Sequence, residues 1–307
     1  MIKYKHVALI GLGLIASSIA LAIKSKNRNV IITGTSRSQK TRTKAKELKI
    51  CEVFDNIKDT VKNADLVILC VPVGAMYIVS KELKNNLKKG STVTDVGSVK
   101  KKVISQIKPF LSDDNFFVPG HPLAGTEESG PQAGISDLFE GRWCILTPDK
   151  KVPKSEVKKL ESFWVSLGAM VTYMSPEHHD LVLAVTSHAP HLIAYTMVGV
   201  ADDFAKISNS EVINYSAAGF RDFTRIAASD PTMWRDIFLN NKEASLEILG
   251  RFNEELFALQ SAIRNGDGDF LYNYFKRTRE IRRSIIEAGQ DTKEINFGRN
   301  QKKSAKL

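Results

Sequence analysis

The sequence predicts an α/β domain built on a parallel sheet, followed by an all-α domain. Two observations support this. Strand-like apolar runs alternate with helical segments up to about residue 175, and from Pro176 onward the apolar residues follow a helical period with few strand signals. A length of 307 residues suits two domains better than one. We therefore predict domains at 1–175 and 176–290 and a polar, basic tail at 291–307.

The predicted strands of the first domain are short apolar runs at 6–10, 30–33, 66–71, 91–96, 116–118, 143–146 and 169–174. The run at 66–71 is apolar without alternation, which is typical of a strand covered on both faces. The predicted helices between the strands are 14–24, 39–48, 75–87, 99–107 and 156–167. We expect Ser155 to cap the last of these helices and Gly168 to end it.

The second domain is predicted to consist of helices at 178–200, 203–208, 211–217, 220–228, 233–240, 242–265 and 270–288. Long apolar helices after an α/β domain bury their faces within the domain or between subunits. We therefore expect a homodimer that forms through this helical domain.

The turn after the first strand carries a glycine-rich motif, GLGLIA at 11–16. In this G-x-G-x-x-A pattern the first glycine permits a tight turn, the second allows a pyrophosphate to approach the backbone, and the small third residue permits helix–strand packing. The motif follows a strand and opens a helix, which is the context of a Rossmann-type dinucleotide-binding domain. The predicted cofactor-binding residues here are Gly11, Leu12, Gly13, Leu14 and Ile15.

The end of the second strand bears on the choice between NAD and NADP. A carboxylate at this point would accept hydrogen bonds from a ribose 2′-hydroxyl and favour NAD. The sequence has Ser36 and Arg37 instead, which could accommodate a 2′-phosphate or form part of a solvated loop. We expect NADP or tolerance of both cofactors.

Composition excludes several classes of protein. An apolar fraction of 43% and a charged fraction of 25% exclude a wholly disordered or collagen-like chain. Residues 1–110 contain 21 Lys/Arg and 7 Asp/Glu, which suggests an anionic partner or simply a lysine-rich surface. The lysines are scattered and not interleaved with aromatic residues, so we expect no nucleic-acid partner.

The apolar run at 7–23 could be a signal peptide or a membrane anchor. It is shorter than the roughly 20 residues of a membrane span, and glycines interrupt it. A buried strand, a tight turn and a buried helix would give the same pattern, so we expect no membrane partner. Three widely spaced cysteines without a C-x-x-C motif indicate a reducing compartment, and we expect a cytoplasmic protein.

Three segments concentrate residue types that could do chemistry. GHPLAGTE (120–127) follows a strand, and its histidine is a general base or a structural residue. TSHAPH (186–191) interrupts a helix with a proline and suits a polar binding wall; it lacks carboxylates and cysteines at ligand spacing, so we expect no metal. GFRDFTR (219–225) has two arginines four apart, which would bind a carboxylate or form a surface pair neutralised by Asp222 and Asp230.

These segments, the glycine motif and DVGSVK (95–100) occur in an order and at spacings that resemble the prephenate/arogenate (cyclohexadienyl) dehydrogenase family of tyrosine biosynthesis. The resemblance runs from about residue 6 to about 290. It implies a dinucleotide-binding domain followed by a helical dimerisation domain. It also implies the reaction: C4 of the substrate ring loses hydride to a nicotinamide, the ring loses carbon dioxide, and the product is aromatic.

The resemblance assigns roles residue by residue. His121 is the implied proton acceptor for the 4-hydroxyl group, and Ser98 bonds the same region. Arg225 clamps a substrate carboxylate with support from Arg221, and Glu127 pairs with Arg225 across the pocket mouth. The remaining implied contacts are Thr126, Ser187, His188 and His191 for the substrate and Cys70, Val71 and Pro72 for the cofactor.

Two other interpretations fit parts of the sequence. Another two-domain enzyme of hydride transfer, such as a 3-hydroxyacid dehydrogenase or a pyrroline-carboxylate reductase, shares the glycine motif and the helical tail but differs in the middle segments. A non-catalytic dinucleotide-binding protein would have the same motif with structural histidines and arginines. An assay of cofactor reduction separates these interpretations from a prephenate/arogenate dehydrogenase.

Overall fold

The computed structural model describes residues 2–208 and 217–287. The strands are β1 (His6–Ile10), β2 (Ile31–Thr35), β3 (Glu52–Val53), β4 (Leu66–Leu69), β5 (Thr92–Asp95), β6 (Phe116–Phe117), β7 (Gly120–Pro122), β8 (Trp143–Leu146) and β9 (Met170–Tyr173). The helices are α1 (Leu14–Lys26), α2 (Gln39–Glu47), α3 (Ile57–Val61), α4 (Met76–Leu83), α5 (Lys101–Ile107), α6 (Lys154–Ser166), α7 (Pro176–Leu183), α8 (Ala189–Ser208), α9 (Ala218–Thr224), α10 (Pro231–Asn240), α11 (Lys242–Asn265) and α12 (Gly268–Glu287).

A six-stranded parallel sheet forms the centre of the first part of the chain. Its strand order is β3-β2-β1-β4-β5-β6, and every neighbouring pair is parallel. The order reverses between β1 and β4, and crevices at such switch points bind ligands beyond the carboxyl ends of the strands. The predicted α/β fold with a parallel sheet is confirmed.

The two faces of this sheet pack into two separate hydrophobic cores. Along β1, Val7 and Leu9 enter one core, while Ala8 and Ile10 enter the other. The residues of β4 alternate in the same way. This alternation explains why the strands are apolar at every position, since side chains of successive residues point to opposite faces and both faces are covered.

A second sheet of three strands carries part of the candidate site. Its order is β7-β8-β9, with β7 antiparallel and β9 parallel to β8. His121 lies in β7 opposite Ile145 of β8, so the segment predicted only to follow a strand begins with a strand of its own. Strand β3 and helix α3 were also not predicted, because two- and five-residue elements are too short to show a period.

One long helical run begins at Pro176 and continues to Ser208. Its middle, Ala184–His188, is a π-helical turn, and the Ala189 N–H donates to the Ala184 carbonyl. Pro190 follows at once and has no N–H to continue the regular α-helical pattern, which agrees with the predicted local disturbance. The predicted break between helices 178–200 and 203–208 is wrong, because nothing at 201–202 interrupts α8.

Helix α10 joins the helical segments to the sheet. Trp234 and Ile237 of α10 belong to the same buried core as Ala8 and Ile10 of β1. A methyl group at Gly74, beyond β4, would overlap the Asp236 carboxylate, so a glycine there permits the close approach of α10. The helical residues of the candidate site are thereby fixed against the carboxyl edge of the sheet.

The chain divides into two compact units, Met1–Ile248 and Leu249–Leu307. The described part of the second unit consists of the end of α11 and α12, joined by a turn in which Gly266 has a φ of +65°. Several large apolar side chains of this unit are exposed, among them Phe257, Ile263 and Phe275. The predicted domain boundary between 175 and 176 stays a prediction.

Among the described residues, one helical run, Pro176–Lys206, is long and apolar enough to cross a membrane by length and composition alone. A core helix of a soluble protein meets the same criterion. The run also carries three buried polar side chains, His179, Asp180 and His188. Buried polar side chains of this kind need hydrogen-bond partners inside the protein.

Several predicted boundaries need correction. Ser155 does not cap α6, because the Pro153 carbonyl already accepts the N–H groups of Glu156 and Val157 and the helix begins at Lys154. Helix α4 ends at Leu83, before a turn in which Asn85 has a φ of +65°. The predicted helix at 211–217 lies outside the described residues except for Ala217, which is extended, and the tail at 291–307 lies wholly outside them.

Candidate active site

The glycine motif lies at the carboxyl end of β1, where the sheet order reverses. Gly11 has a φ of +95°, and a methyl group there would lie 2.6 Å from the Cys70 carbonyl oxygen. Gly13 is the N-cap of α1 and supplies no side-chain cap, and a methyl group added to it would meet no described atom within 4 Å. The first N–H groups of α1 are therefore open to an anion, which fits the pyrophosphate of a dinucleotide.

The other predicted cofactor residues surround this turn. Leu12 and Leu14 are buried, Ile15 is half-buried, and Cys70 and Val71 are half-buried beyond β4, while Pro72 is exposed. Leu12 and Leu14 support the turn from the core side. Their backbone and that of Ile15 belong to the anion-facing segment.

The loop after β2 is held by an arginine that the sequence analysis did not single out. Arg42 Nη1 donates to the Ser36 carbonyl at 2.6 Å and to the Arg37 carbonyl at 3.2 Å. Arg42 Nε also donates to Asp55 Oδ1 at 3.1 Å. Ser36 is half-buried and the Arg37 side chain is exposed, so a cation lies accessible to a ligand beside the strand end.

His121 is buried in β7 and contacts a second histidine. Its Nδ1 lies 2.9 Å from Nε2 of His179, on α7. Burial, reinforced by His179, Lys100 and His188, holds the pKa of His121 well below its usual range. His121 is therefore a neutral imidazole at pH 7.

His179 in turn contacts Asp180, its neighbour in the chain. His179 Nδ1 lies 2.8 Å from Asp180 Oδ1. The same carboxylate accepts the N–H groups of Lys100 at 2.6 Å and Lys101 at 3.0 Å, at the start of α5. Burial acts to raise the pKa of Asp180, but these hydrogen bonds outweigh it and the pKa is below its usual value.

A fully buried ion pair joins the two sheets behind His121. Lys100 Nζ donates to Asp95 Oδ2 and, at 2.6 Å, to the carbonyl of Gly120. Asp95 also accepts the N–H groups of Gly97 and Gly120, at 2.8 and 3.3 Å. The pair fixes the end of β5 to the start of β7, the strand that carries His121.

His188 lies in the π-helical turn and is fully buried. Asn241 Nδ2 donates to the Asp180 carbonyl at 2.8 Å and lies 3.2 Å from His188 Nδ1. Burial lowers the pKa of His188 to about 4, although Asp180 and the backbone of Ser98 oppose the shift. The half-buried Ser98 is thereby placed beside the histidine cluster.

His191 connects this cluster to the arginine segment. Its ring stacks on Trp234 at 3.7 Å between centroids, and its Nδ1 donates to the Ser187 carbonyl at 2.8 Å. Burial lowers the pKa of His191, the Ser187 carbonyl opposes the shift, and the charge of Arg225 reinforces it. His188 packs edge-on against the same Trp234 at 6.1 Å.

Arg225 pairs with Glu127, as predicted. Arg225 Nη1 donates to Glu127 Oε2 at 3.0 Å, and both side chains are exposed at the surface. An ion pair of this kind contributes about 0–1 kcal/mol to stability, so its position matters more than its strength. It ties the segment after β7 to the segment after α9.

The structure joins three predicted site residues, His121, His188 and His191, by one set of contacts. The set runs from His121 through His179, Asp180 and Asn241 to His188, and from His188 through Trp234 to His191. Arg225 acts on this set through its charge, which lowers the pKa of His191. Thr126 is exposed beside Glu127, and its Oγ1 accepts the Glu128 N–H at 3.2 Å. Arg221 is exposed on α9, whereas Arg225 lies in the 3₁₀ turn after it, so the two arginines do not share one α-helical face as the spacing suggested.

Four polar residues that the fold places at the site were not predicted from the sequence. They are His179, Asp180, Asn241 and Arg42. The signal available for the first two was a His-Asp pair near the start of a strongly apolar helix, where buried polar residues need partners. Within 2–208 and 217–287, no group of three or more His, Cys, Asp or Glu residues could hold a metal ion.

Comparison with known families covers both halves of the chain. The family model described as “Prephenate dehydrogenase, nucleotide-binding domain” matches residues 19–173. The one described as “Prephenate dehydrogenase, dimerization domain” matches residues 175–277. The order of the two matches is that of the observed α/β and helical parts.

Individual relatives agree with the family match. The chain is 43% identical over 286 residues to a cyclohexadienyl dehydrogenase of Zymomonas mobilis, covering 93% of this chain and 97% of the relative. It is 37% identical to a prephenate dehydrogenase of Bacillus subtilis, over 90% of this chain and 75% of the relative. The crystal structure of prephenate dehydrogenase from Aquifex aeolicus in complex with hydroxyphenyl propionate and NAD+ superposes with a TM-score of 0.85 at 36% identity, covering 92% of this chain and 98% of that one. The resemblance inferred from the sequence is confirmed: the chain belongs to the prephenate dehydrogenase family.

Proposed function

We propose that this protein catalyses the oxidative decarboxylation of prephenate, arogenate or both, as a step of tyrosine biosynthesis. The observation that carries the proposal is a buried, neutral imidazole, His121, which polar and aromatic contacts link to His191, on which the charge of the exposed Arg225 acts. The reaction needs a proton acceptor near C4 and a cation for a carboxylate. The family membership of both halves of the chain supports the same reaction.

The dinucleotide is held by the turn from Gly11 to Ile15 and by the segment Cys70, Val71 and Pro72. When bound, the nicotinamide supplies the acceptor for a hydride ion. The open N–H groups at Gly13 bind the pyrophosphate. The half-buried Cys70 and Val71 line the cofactor at the end of β4.

His121 takes up the 4-hydroxyl proton of the substrate as hydride leaves C4. Ser98 bonds the same hydroxyl region and orients it. The ring then loses carbon dioxide, the electron pair of the broken bond completes the aromatic ring, and the proton returns to the oxygen. His121 ends the cycle neutral, and general-base assistance of this kind contributes about 10²–10⁴-fold to rates.

The substrate carboxylates are bound by the residues between the histidine cluster and the surface. Arg225 clamps one carboxylate, and Glu127 holds the guanidinium in place at 3.0 Å. Arg221, exposed on α9 four residues earlier, supports Arg225 with a second positive charge. Ser187, His191 and Thr126 complete the wall around the ring and side chain, and His188 lies fully buried behind it.

The remaining proposals concern cofactor choice and assembly. Ser36 and Arg37 stand where NAD-binding proteins have a carboxylate, which favours NADP or the use of both cofactors. The α/β domain ends at 175, and the helical domain 176–290 forms a homodimer, which fits the exposed apolar side chains of α11 and α12. We place the enzyme in the cytoplasm, without metal, nucleic acid or membrane.

A matrix of initial rates tests the proposal. Prephenate and arogenate are each assayed with NAD and with NADP, and cofactor reduction is followed by absorbance. We expect turnover in at least one of the four combinations, with NADP at least as good as NAD. Absence of turnover in all four, with a folded protein that binds cofactor, would exclude the proposed reaction. A clear preference for NAD would exclude the role of Ser36 and Arg37 in cofactor choice.

A further inference from the structure

Two side chains of α7 stand behind His121, and the reaction described above assigns them no role. His179 and Asp180 are buried and lie in line with His121: the Asp180 carboxylate contacts His179, and His179 contacts His121. A chain of three hydrogen-bonding groups has only a few ways to arrange its protons. The placement of the protons follows from the end of the chain that backbone N–H groups hold in place.

The anchored end is the Asp180 carboxylate. Two backbone N–H groups at the start of α5 point at it, from Lys100 at 2.6 Å and from Lys101 at 3.0 Å. A backbone N–H can only donate, so both oxygens of Asp180 act as acceptors. Its pKa is below the usual value, so the group is ionised at neutral pH and must also accept from His179.

His179 Nδ1 is therefore the protonated nitrogen of that ring. Burial lowers the pKa of His179, and the bond to Asp180 only partly opposes the shift. A neutral imidazole with its proton on Nδ1 has a lone pair on Nε2. The 2.9 Å contact to His121 then requires His121 Nδ1 to donate.

His121 is neutral as well, so its single proton lies on Nδ1 and its Nε2 carries a free lone pair. We propose that His179 and Asp180 are positioning residues that hold His121 in this tautomer, so that His121 Nε2 is the atom that takes the substrate proton. This proposal rests on the proposed function, because it names the reacting atom of the same site. His179 and Asp180 do not touch the substrate and act through His121.

The charges around the cluster favour the same arrangement. Lys100 and His188 act to keep His121 neutral, and Lys100 does the same for His179. Asp180 and Asp95 act in the other direction on His179. The reverse orientation, in which His121 accepts at Nδ1, would require protons on both nitrogens of His179, beside the buried ammonium of Lys100.

Two substitutions of His179 separate positioning from packing. Glutamine at 179 can still present an amide oxygen to His121 Nδ1, whereas leucine fills the space without an acceptor. If His179 positions His121, His179→Leu lowers kcat by about 10²-fold while KM stays within threefold of the wild type. His179→Gln then recovers most of the lost kcat. If His179 serves only packing, the kcat of His179→Leu is at least as high as that of His179→Gln, because leucine suits a buried site at least as well as glutamine. His178→Leu, at the exposed neighbouring position, is the matched control.

The tautomer is measured directly on the wild-type protein, which does not depend on the folding of any variant. In ¹⁵N-histidine-labelled protein at pH 7, we expect a protonated Nδ1 and an unprotonated Nε2 for His121, assigned through His121→Asn. A protonated Nε2, or a charged His179, would overturn the proposal. If the wild type turns over neither prephenate nor arogenate, the proposed function fails while this measurement still decides the tautomer. If the wild type is active and both His179 variants match it, the positioning role fails alone.

Discussion

At the scale of single residues, the buried pair Asp95–Lys100 decides how well His121 is placed. Both side chains are fully buried, and Lys100 reaches the carbonyl of Gly120, the residue before His121. A buried ion pair is weak support for net stability, because desolvation offsets much of the attraction. Removal of one partner is costly, since the other charge stays buried without compensation.

Lys100→Met tests this reasoning. It leaves Asp95 buried with backbone N–H donors only, and we expect the free energy of unfolding to fall by about 3–5 kcal/mol. Urea unfolding followed by circular dichroism measures the change. Lys101→Met, at the exposed neighbouring position, is the control and should change stability by about 0.5 kcal/mol or less. A loss below about 1 kcal/mol for Lys100→Met would show that the pair does not hold the strand ends together.

Arg225→Ala tests the carboxylate clamp. A hydrogen bond to a charged group contributes about 1.5–3 kcal/mol, so the substrate KM should rise about 10- to 100-fold while kcat changes little. Steady-state kinetics with varied substrate and saturating cofactor measure both constants. The exposed Arg142→Ala serves as the control. An unchanged KM in Arg225→Ala would place the carboxylate site elsewhere.

Site residues that belong to a recognisable motif were predictable from the sequence. Site residues that only the fold brings to the site were not. The Glu127–Arg225 contact joins positions 98 residues apart, and the resemblance to a family pointed to it before the structure confirmed it. The His121–His179 contact spans 58 residues and belongs to no motif noted in the sequence. Nothing in a His-Asp pair at the start of a helix says which distant side chain it will meet.

At the scale of elements, the spacing of apolar residues in the sequence identified most strands of the two sheets. Strands β1 and β8 have the predicted boundaries, and α11 does as well. The short strand β7 escaped prediction because its three residues pair with β8 across a long loop, and only the fold brings them together. The π-helical turn before Pro190 was foreseen only as a local disturbance.

Gly11→Ala tests the turn between β1 and α1. An L side chain at a φ of +95° costs about 1–3 kcal/mol of backbone strain, and the methyl group also meets the Cys70 carbonyl at 2.6 Å. We expect weaker dinucleotide binding and lower stability, measured by calorimetric titration and thermal unfolding. Gly199→Ala, in α8 with open space around it, should keep cofactor affinity. Unchanged cofactor affinity in Gly11→Ala would remove this turn from the binding site.

At the scale of the whole molecule, buried neutral histidines make stability depend on pH. The folded-state pKa values of His6, His121, His179, His188 and His191 all lie below the usual 6.5. Below that value the unfolded chain binds protons that the folded chain does not, so stability falls as the pH falls. This effect occurs at higher pH than the protonation of carboxylates.

The free energy of unfolding should therefore decline steadily between about pH 7 and pH 4. For His188 alone, a shift from 6.5 to about 4 corresponds to a loss of about 3 kcal/mol over that interval. Urea unfolding at half-unit steps of pH measures the slope. The histidines contribute almost no pH dependence to the free energy of unfolding between about pH 7 and pH 9, so this range serves as the internal reference. Constant stability from about pH 7 to pH 5 would mean that these histidines are solvated or already charged.

The order of an α/β half and a helical half was predictable because it depends on periods that repeat over many residues. The compact units divide at 248/249, within α11, and no local signal in the sequence marks that point. Helices α11 and α12 leave large apolar side chains exposed, and the expectation that helices of this domain bury their faces between subunits stays a prediction. Which side chains those helices leave exposed follows from tertiary packing, which a period alone does not specify.

The most direct test of the central claim is the turnover of His121→Asn with saturating cofactor and substrate. Asparagine fills a similar space and can keep a donor toward His179, but it has no basic nitrogen. We predict a kcat lower by about 10²–10⁴-fold with a cofactor Kd close to that of the wild type. A kcat within a factor of a few of the wild type, in a variant that folds and binds cofactor normally, would contradict the assignment of His121 as the proton acceptor.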